Sequence, residues 1–269
     1  MEENIKIVRE HYDVSVEHEW NRIADRPEFL ITCRMLNRYI KPNDKILDIG
    51  GGPGRYTFEF AKRGCEVTLF DLSPGNIKFA GEKSAELNLP VKTVCGDART
   101  ADKLVNGTFD HVLLMGPMYH LLEESDRITA VNAALNLLKP GGIIFVSFIN
   151  LFGCISFGMK NCPEFVAVEI EKNFLEHVIA QKSYRGDQGN TFTRTYIYDQ
   201  HEILPFMSQF PLEKLHLFGQ ESILSPCEEN IMSQSKEIVN FWLDLCEKLC
   251  EREDLLSWSE HLMYVGRKI

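Results

Sequence analysis

The sequence predicts an α/β fold, a doubly wound and mostly parallel seven-stranded sheet, on three observations. Short apolar runs alternate with helical patterns from residue 45 to residue 150, and five strands with helical crossovers in so short a span make a parallel sheet. The run Phe109–Met115 is almost wholly apolar, as a strand buried on both faces should be. Lys45–Arg55, K-I-L-D-I-G-G-G-P-G-R, is an apolar run that breaks into four glycines and a proline within five positions and leads into a helix. Strand, glycine turn and helix is the arrangement that cradles nucleotide-like ligands.

The first 44 residues read as a helical cap. Ile5, Val8 and Tyr12 share one face, and a helix from about Pro27 to Ile40 stops at Lys41-Pro-Asn-Asp44. Residues 45–150 form the core. Its strands are Ile46–Ile49, Glu66–Phe70, Val91–Val94, Phe109–Met115 and Ile143–Ile149. The intervening helices start near Tyr56, Pro74 and Ile128. Residues 151–191, with Phe165, Val168, Leu175 and Val178 at near-helical spacing, read as a lid insertion. Residues 192–269 complete the sheet. Phe192–Ile197, Leu212–Phe218 and His261–Val265 read as strands, and Asp199–Gln209 as a helix. A helical insertion at about 222–255 carries Ile238, Phe241, Trp242, Leu245 and Leu249 on one apolar face.

A chain of 269 residues, 44% hydrophobic, can bury a sizeable core. Its net charge of −10 argues against a nucleic-acid backbone as partner. Met1–Glu10 has no apolar signal core, and no stretch reaches the roughly 18 apolar residues of a membrane span. The eight cysteines form no C-x-x-C, which fits free thiols in a reducing cytoplasm; Cys246 and Cys250 are spaced as a buried pair on one helix face. Asn106-Gly-Thr108 matches a glycosylation pattern that a cytoplasmic protein would not use.

The glycine spacing is Gly50-x-Gly52-x-Gly54, with Arg55 where a dinucleotide loop wants its third glycine, and no phosphate-loop signature exists. Asp48, just before the loop, would repel a pyrophosphate and suits an amine. Asp71, at the end of the second strand, suits a ribose diol. An amine, a ribose and no phosphates describe S-adenosylmethionine.

At this point residues 44–150 resemble the class I S-adenosylmethionine-dependent methyltransferases, of the small-molecule, type 11-like kind. The matching pieces, in order, are I-L-D-I-G-G-G-P-G-R at 46–55, V-T-L-F-D-L-S-P at 67–74, C-G-D-A at 95–98, F-D-H-V-L-L-M-G-P-M-Y-H-L-L at 109–122 and the L-K-P-G-G turn. The resemblance implies that Gly50, Gly52 and Gly54 approach the methionine moiety and that Asp71 takes the ribose hydroxyls. It places Leu72 and Asn76 near ribose or adenine, Asp97 on the adenine amino group with Ala98 beside it, and Met115 against the cofactor. Helix capping is the competing role for Asp97.

Methyl transfer needs nucleophile and methyl held in line; positioning alone is worth ~7–11 kcal/mol and a base adds roughly 10²–10⁴-fold. His120, just past the fourth strand, is the base candidate because an ordinary imidazole titrates near neutrality, and Tyr119 is a candidate to orient substrate. Tyr12 and Trp20 come from a cap resembling those that close over the cofactor, with Tyr12 a cofactor or substrate contact. Arg22, Arg26, Tyr184-Arg185 and Arg194-Thr-Tyr196 are weaker acceptor-binding candidates. No His/Asp/Glu cluster at ligand spacing lies near the crevice, so no metal is expected. The expected function is methyl transfer to a small-molecule acceptor. The alternatives are an RNA or protein methyltransferase, a non-catalytic cofactor-binding module and, least favoured, a nicotinamide-dependent oxidoreductase.

Overall fold

A computed structural model describes residues 2–186 and 193–269. Three helices come first: α1 (Glu2–Val14), α2 (Val16–Arg22) and α3 (Pro27–Leu36). The alternating core follows as β1 (Lys45–Ile49), α4 (Arg55–Lys62), β2 (Glu66–Asp71), α5 (Pro74–Leu87), β3 (Lys92–Cys95), α6 (Ala101–Leu104), β4 (Phe109–Leu114), α7 (Pro117–His120), α8 (Glu124–Leu137) and β5 (Leu138–Ile149). Then come α9 (Gly153–Asn161), α10 (Lys172–Ala180), β6 (Tyr184–Gly186), β7 (Thr195–Ile197), α11 (Gln200–Met207), β8 (Leu212–Gly219), α12 (Glu228–Met232), α13 (Lys236–Leu249) and β9 (His261–Lys268).

The main sheet has seven strands in the order β3-β2-β1-β4-β5-β9-β8. Its first five strands pair in parallel, while β9 runs antiparallel to both β5 and β8. Strand order reverses between β1 and β4, the switch point outside whose carboxyl ends open α/β sheets bind ligands. Both faces of β1 and β4 are covered, so Ile46, Leu47, Val112 and Leu113 are fully buried. One apolar layer holds α8 and α11 against the sheet, and the other packs α3, α4 and α13 on its opposite face.

Two elements differ from the sequence reading. The strand expected at 192–197 is described from Thr195 and pairs with β6 in a separate two-stranded sheet, not in the main one; Phe192 lies outside the described residues. On α13 the predicted apolar face points away from the core, leaving Phe241 63% and Trp242 37% exposed. The helix packs instead through Leu243 and Cys246, with Val239 and Cys250 on the same face, while Arg34 of α3 and Arg38 just beyond it pair with its Asp244 and Glu247 at the rim. Cys246 and Cys250 are buried free thiols, pushed up to about 11 and about 12 mainly by burial.

Asn150 ties β5 to the segment before β9. Its backbone N–H donates to Glu260 (2.8 Å), and its buried amide donates to the carbonyls of Ser259 (2.8 Å) and Leu256 (3.2 Å). Asn150→Ala removes the amide donor from the Ser259 carbonyl, while Leu256 O keeps the Ser259 N–H (3.1 Å), at a cost of about 1–3 kcal/mol that urea unfolding should register.

Candidate functional site

A cleft of about 1200 Å³, counting its open mouth, lies at the carboxyl ends of β1, β2 and β4. Its floor is the glycine loop. Gly50 (φ +75°) donates its N–H to Phe70 O at 2.7 Å, and a Cβ on it would lie 2.5 Å from Pro117 Cδ. The loop after β4 comes equally close, because a Cβ on Gly116 would lie 3.0 Å from Gly50 O. Gly52 (φ +57°) donates to Asp71 Oδ2 at 2.8 Å.

Asp71 is 7% exposed and its Oδ1 takes the Ser73 N–H (2.8 Å) and Asn76 Nδ2 (3.1 Å). Burial raises its pKa against those donors. Asn76 is buried at the head of α5, where the Ser73 hydroxyl caps its N–H; its Oδ1 has no hydrogen-bond partner. Asp48 is fully buried. The Thr57 hydroxyl donates to its Oδ2 at 2.7 Å, while Oδ1 has no partner. Burial lifts it to about 7, with Asp71 adding to the rise and the Thr57 bond opposing it.

Of the predicted residues, Tyr12, Asp48, Gly50, Gly52, Asp71, Leu72, Asn76, Asp97, Ala98, Met115, Tyr119 and His120 all line this cleft. Gly54 does not. It heads α4 in a left-handed conformation, where a Cβ would meet Phe58 at 3.0 Å, so its glycine serves the turn. Gly51, passed over in the sequence reading, does line the cleft, and a Cβ there would lie 2.6 Å from the Asp48 carboxyl. Asp97 caps the short helical turn at Ala98–Thr100, and both of its oxygens already hold Arg99 (Nε 3.0 Å, Nη2 2.7 Å). Its carboxylate retains lone pairs for a further donor.

His120 departs from the expected imidazole. Burial lowers it to about 4, and a hydrogen bond with the Arg194 backbone only partly offsets this. The ring is therefore neutral near pH 7 and a weak base. Its Nε2 and the Tyr12 hydroxyl lie 2.8 Å apart, and Asn4 Nδ2 donates to its carbonyl at 2.9 Å. Burial also raises the Tyr12 and Tyr119 phenols, which stay protonated. Trp20 helps fix α2 to the glycine loop, since Arg55 donates to its carbonyl and stacks 3.8 Å from its ring centroid. Of the weaker candidates, Arg26 pairs with Glu228 and Arg185 with Glu123, while Arg194 lies 3.4 Å from Glu3. None of the three lines the cleft.

Beyond Tyr119 the cleft continues into a polar compartment that includes Glu19, Arg22, Glu28, Ser147 and Gln220. Arg22 binds Glu19 (3.0 Å) and Glu28 (3.1 Å), with 40% of its side chain accessible. Gln220 bridges Ser147 (2.6 Å) and Thr32 (3.0 Å). Glu221 accepts from His261 Nδ1 at 2.7 Å, and although burial lowers His261, Glu28 and Glu221 raise it to about 9. The fold thus assembles a His/Glu cluster that no local spacing reveals: Glu28, Glu221 and His261 donor atoms all lie within 4.8 Å of one another.

The orphaned atoms test the predicted cofactor. Asp48 Oδ1, Asn76 Oδ1 and Asn4 Oδ1 are buried acceptors without donors among the described residues, and all three residues line the cleft. A ligand rich in donors fits them: S-adenosylmethionine brings an ammonium, two ribose hydroxyls and an adenine amine.

Residues 46–142 match the family described as "Methyltransferase domain". The ubiquinone biosynthesis O-methyltransferase of Xanthomonas campestris pv. campestris is 32% identical over 113 residues, 42% of this chain and 46% of that protein. Its namesake in Chromobacterium violaceum is 34% identical over 106 residues, 39% of this chain and 44% of that protein. The matched stretch thus spans slightly under half the length of these curated relatives. Among solved structures, the chain resembles the 1,6-didemethyltoxoflavin-N1-methyltransferase of Burkholderia thailandensis (TM-score 0.60, 15% identity, 99% of this chain and 89% of that one). It also resembles the N-methyltransferase NodS of Bradyrhizobium japonicum bound to S-adenosylhomocysteine (TM-score 0.54, 14% identity, 96% and 98%). At such identities the structures speak for the fold alone. They include the [4+2]-cyclase SpnF (TM-score 0.55, 18% identity, 93% and 82%), so the fold does not dictate the reaction. Family match, ordered motifs and sheet topology agree on one stretch: residues 46–142 match a methyltransferase domain, set in a Rossmann-like sheet of the kind that class I, S-adenosylmethionine-dependent methyltransferases have.

Proposed function

We propose that the protein transfers a methyl group from S-adenosylmethionine to a small-molecule acceptor, leaving S-adenosylhomocysteine. The observation that carries this reading is the cleft at the carboxyl ends of β1, β2 and β4, with orphaned acceptors beside the glycine loop and a polar compartment beyond Tyr119. When bound, the cofactor supplies an activated methyl on a sulfonium. The chain's residues position and exclude water. Asp48 and Asn76 offer acceptors to the cofactor's donors, and Asp71 offers its remaining lone pairs to the ribose. Tyr119, Arg22 and Glu28 line the acceptor compartment. Residues 1–44 act as a cap and 151–191 as a lid in this reading, and the eight free thiols favour a reducing, cytoplasmic setting.

Calorimetry with S-adenosylhomocysteine, followed by labelled cofactor with a metabolite extract, tests the proposal. Binding plus label in a small molecule supports it. Label in RNA or protein moves the acceptor to the macromolecular alternative, and binding with no label in any fraction favours the non-catalytic module.

The lowered His120 leads to a second expectation. With its Nε2 engaged by Tyr12, His120 works as a positioning group, and acceptor alignment supplies most of the rate. His120→Gln should lower kcat by no more than about tenfold, and the wild-type pH–rate profile should show no ionisation near 6.5. A thousandfold loss together with such an ionisation would restore His120 as the base.

A further inference from the structure

We propose that Glu28, Glu221 and His261 bind one divalent first-row transition ion at the acceptor end of the cleft. The three side chains come from the first turn of α3, the turn after β8 and the first residue of β9, and each brings one donor atom within 4.8 Å of the other two. The site is interior: Glu221 is 3% exposed, and the side chains of Glu28 and His261 are each 16% accessible. It is also braced. The Ser259 hydroxyl accepts the Glu221 N–H at 3.0 Å, and Glu221 Oε2 accepts the His261 N–H at 3.0 Å. Glu28 gives Oε2 to Arg22, and its Oε1 makes no hydrogen bond among the described residues. One carboxylate oxygen therefore stands unpaired beside a second carboxylate and an imidazole.

The donor set selects the ion. Two carboxylates and one imidazole suit Mn²⁺, Fe²⁺ or Zn²⁺, whereas Mg²⁺ and Ca²⁺ favour all-oxygen shells. Coordination uses the neutral ring, so the proton that the binding nitrogen carries passes to solvent. Three protein ligands leave open positions, and Glu28 and Gln220 line the cleft while the Tyr119 ring lies 6.4 Å from His261. An ion there would take an acceptor oxygen, a hydroxyl, phenol or enol, as a further ligand and polarise it as a Lewis acid. This last step rests on the reading of that compartment as the acceptor site; the metal site itself does not.

The test is Mn²⁺ binding to the full chain after chelator treatment, followed by electron paramagnetic resonance, with S-adenosylhomocysteine calorimetry in parallel. Mn²⁺ is chosen because the free thiols compete poorly for it. One Mn²⁺ per chain is expected, weakened about tenfold or more by Glu28→Gln and by His261→Gln, with S-adenosylhomocysteine affinity changed less than about threefold. Glu28→Gln keeps its side-chain shape and covers the case in which the His261 variant fails to fold. Substoichiometric Mn²⁺ up to about 1 mM, or variants that bind as tightly as wild type, overturns the site. Mn²⁺ binding without S-adenosylhomocysteine binding leaves the site standing and overturns the methyltransferase reading.

Discussion

Asp48→Asn is expected to weaken S-adenosylmethionine binding roughly 10- to 100-fold while making the cofactor-free protein more stable at pH 8. Both effects come from one buried carboxyl with an unpartnered oxygen. Its folded-state pKa of about 7 lies above the ordinary carboxylate value, so the folded chain binds the proton more tightly than the unfolded one. The stability this contributes is complete below about pH 4 and is lost as pH rises through about 7. Above that, an ionised Asp48 sits in the cofactor-free core at a cost of a few kcal/mol. Asparagine removes the charge and still accepts from Thr57. In the complex the sign reverses, because a cationic ligand needs the carboxylate. Wild-type affinity should therefore fall about tenfold per pH unit below 7, and the Asp48→Asn variant should lose that dependence. Thermal melts with and without ligand from pH 6 to 8, alongside calorimetry, read both arms. A variant less stable than wild type at pH 8 without ligand would contradict the account.

Gly50→Ala should cost about 2–5 kcal/mol and abolish measurable cofactor binding. The new methyl would lie 2.5 Å from Pro117 Cδ and 2.9 Å from its Cγ, in a ring that cannot rotate away. A left-handed φ of +75° adds about 1–2 kcal/mol for a residue with a side chain, and overpacking about 1–3. Gly107→Ala is the matched control, with φ of +96° and nothing within 4 Å of its Cβ position, so it should show the backbone cost alone. Urea unfolding separates the two. Equal losses would mean that the approach of Pro117 to the glycine loop is not what requires glycine at position 50.

Much of the fold was legible because its signals are local. β1, β2, β4 and the glycine turn each declare themselves within a few residues, and a parallel order follows once crossovers are helical. The apolar stripe of α13 misled because periodicity reports amphipathicity without saying which way the helix turns. Here the face with Leu243 and Cys246 meets the core, against partners such as Ile31 and Met35 roughly 200 residues away in sequence. Spacing alone does not say that Gly51 packs on Asp48 and Gly54 starts a helix. The polar compartment beyond Tyr119 was the least legible. Glu28, Gln220, Glu221 and His261 carry no shared motif; the antiparallel return of β9 between β5 and β8, together with α3 packing on that side of the sheet, brings them together.

The end of α1 is fastened to the turn that organises Asp71. Asp13 Oδ1 accepts both the Ser73 hydroxyl and the Gly75 N–H (3.0 Å), while Ser73 donates its own N–H to Asp71. If Asp71 takes the ribose, as proposed, docking of the first helix and ligand binding are reciprocally linked: whatever free energy a ligand gains from a docked α1 must reappear as extra protection of α1 against opening when the ligand is bound. Residence time then depends on a short run of polar fastenings between α1 and the sheet's edge as much as on the cofactor's own contacts.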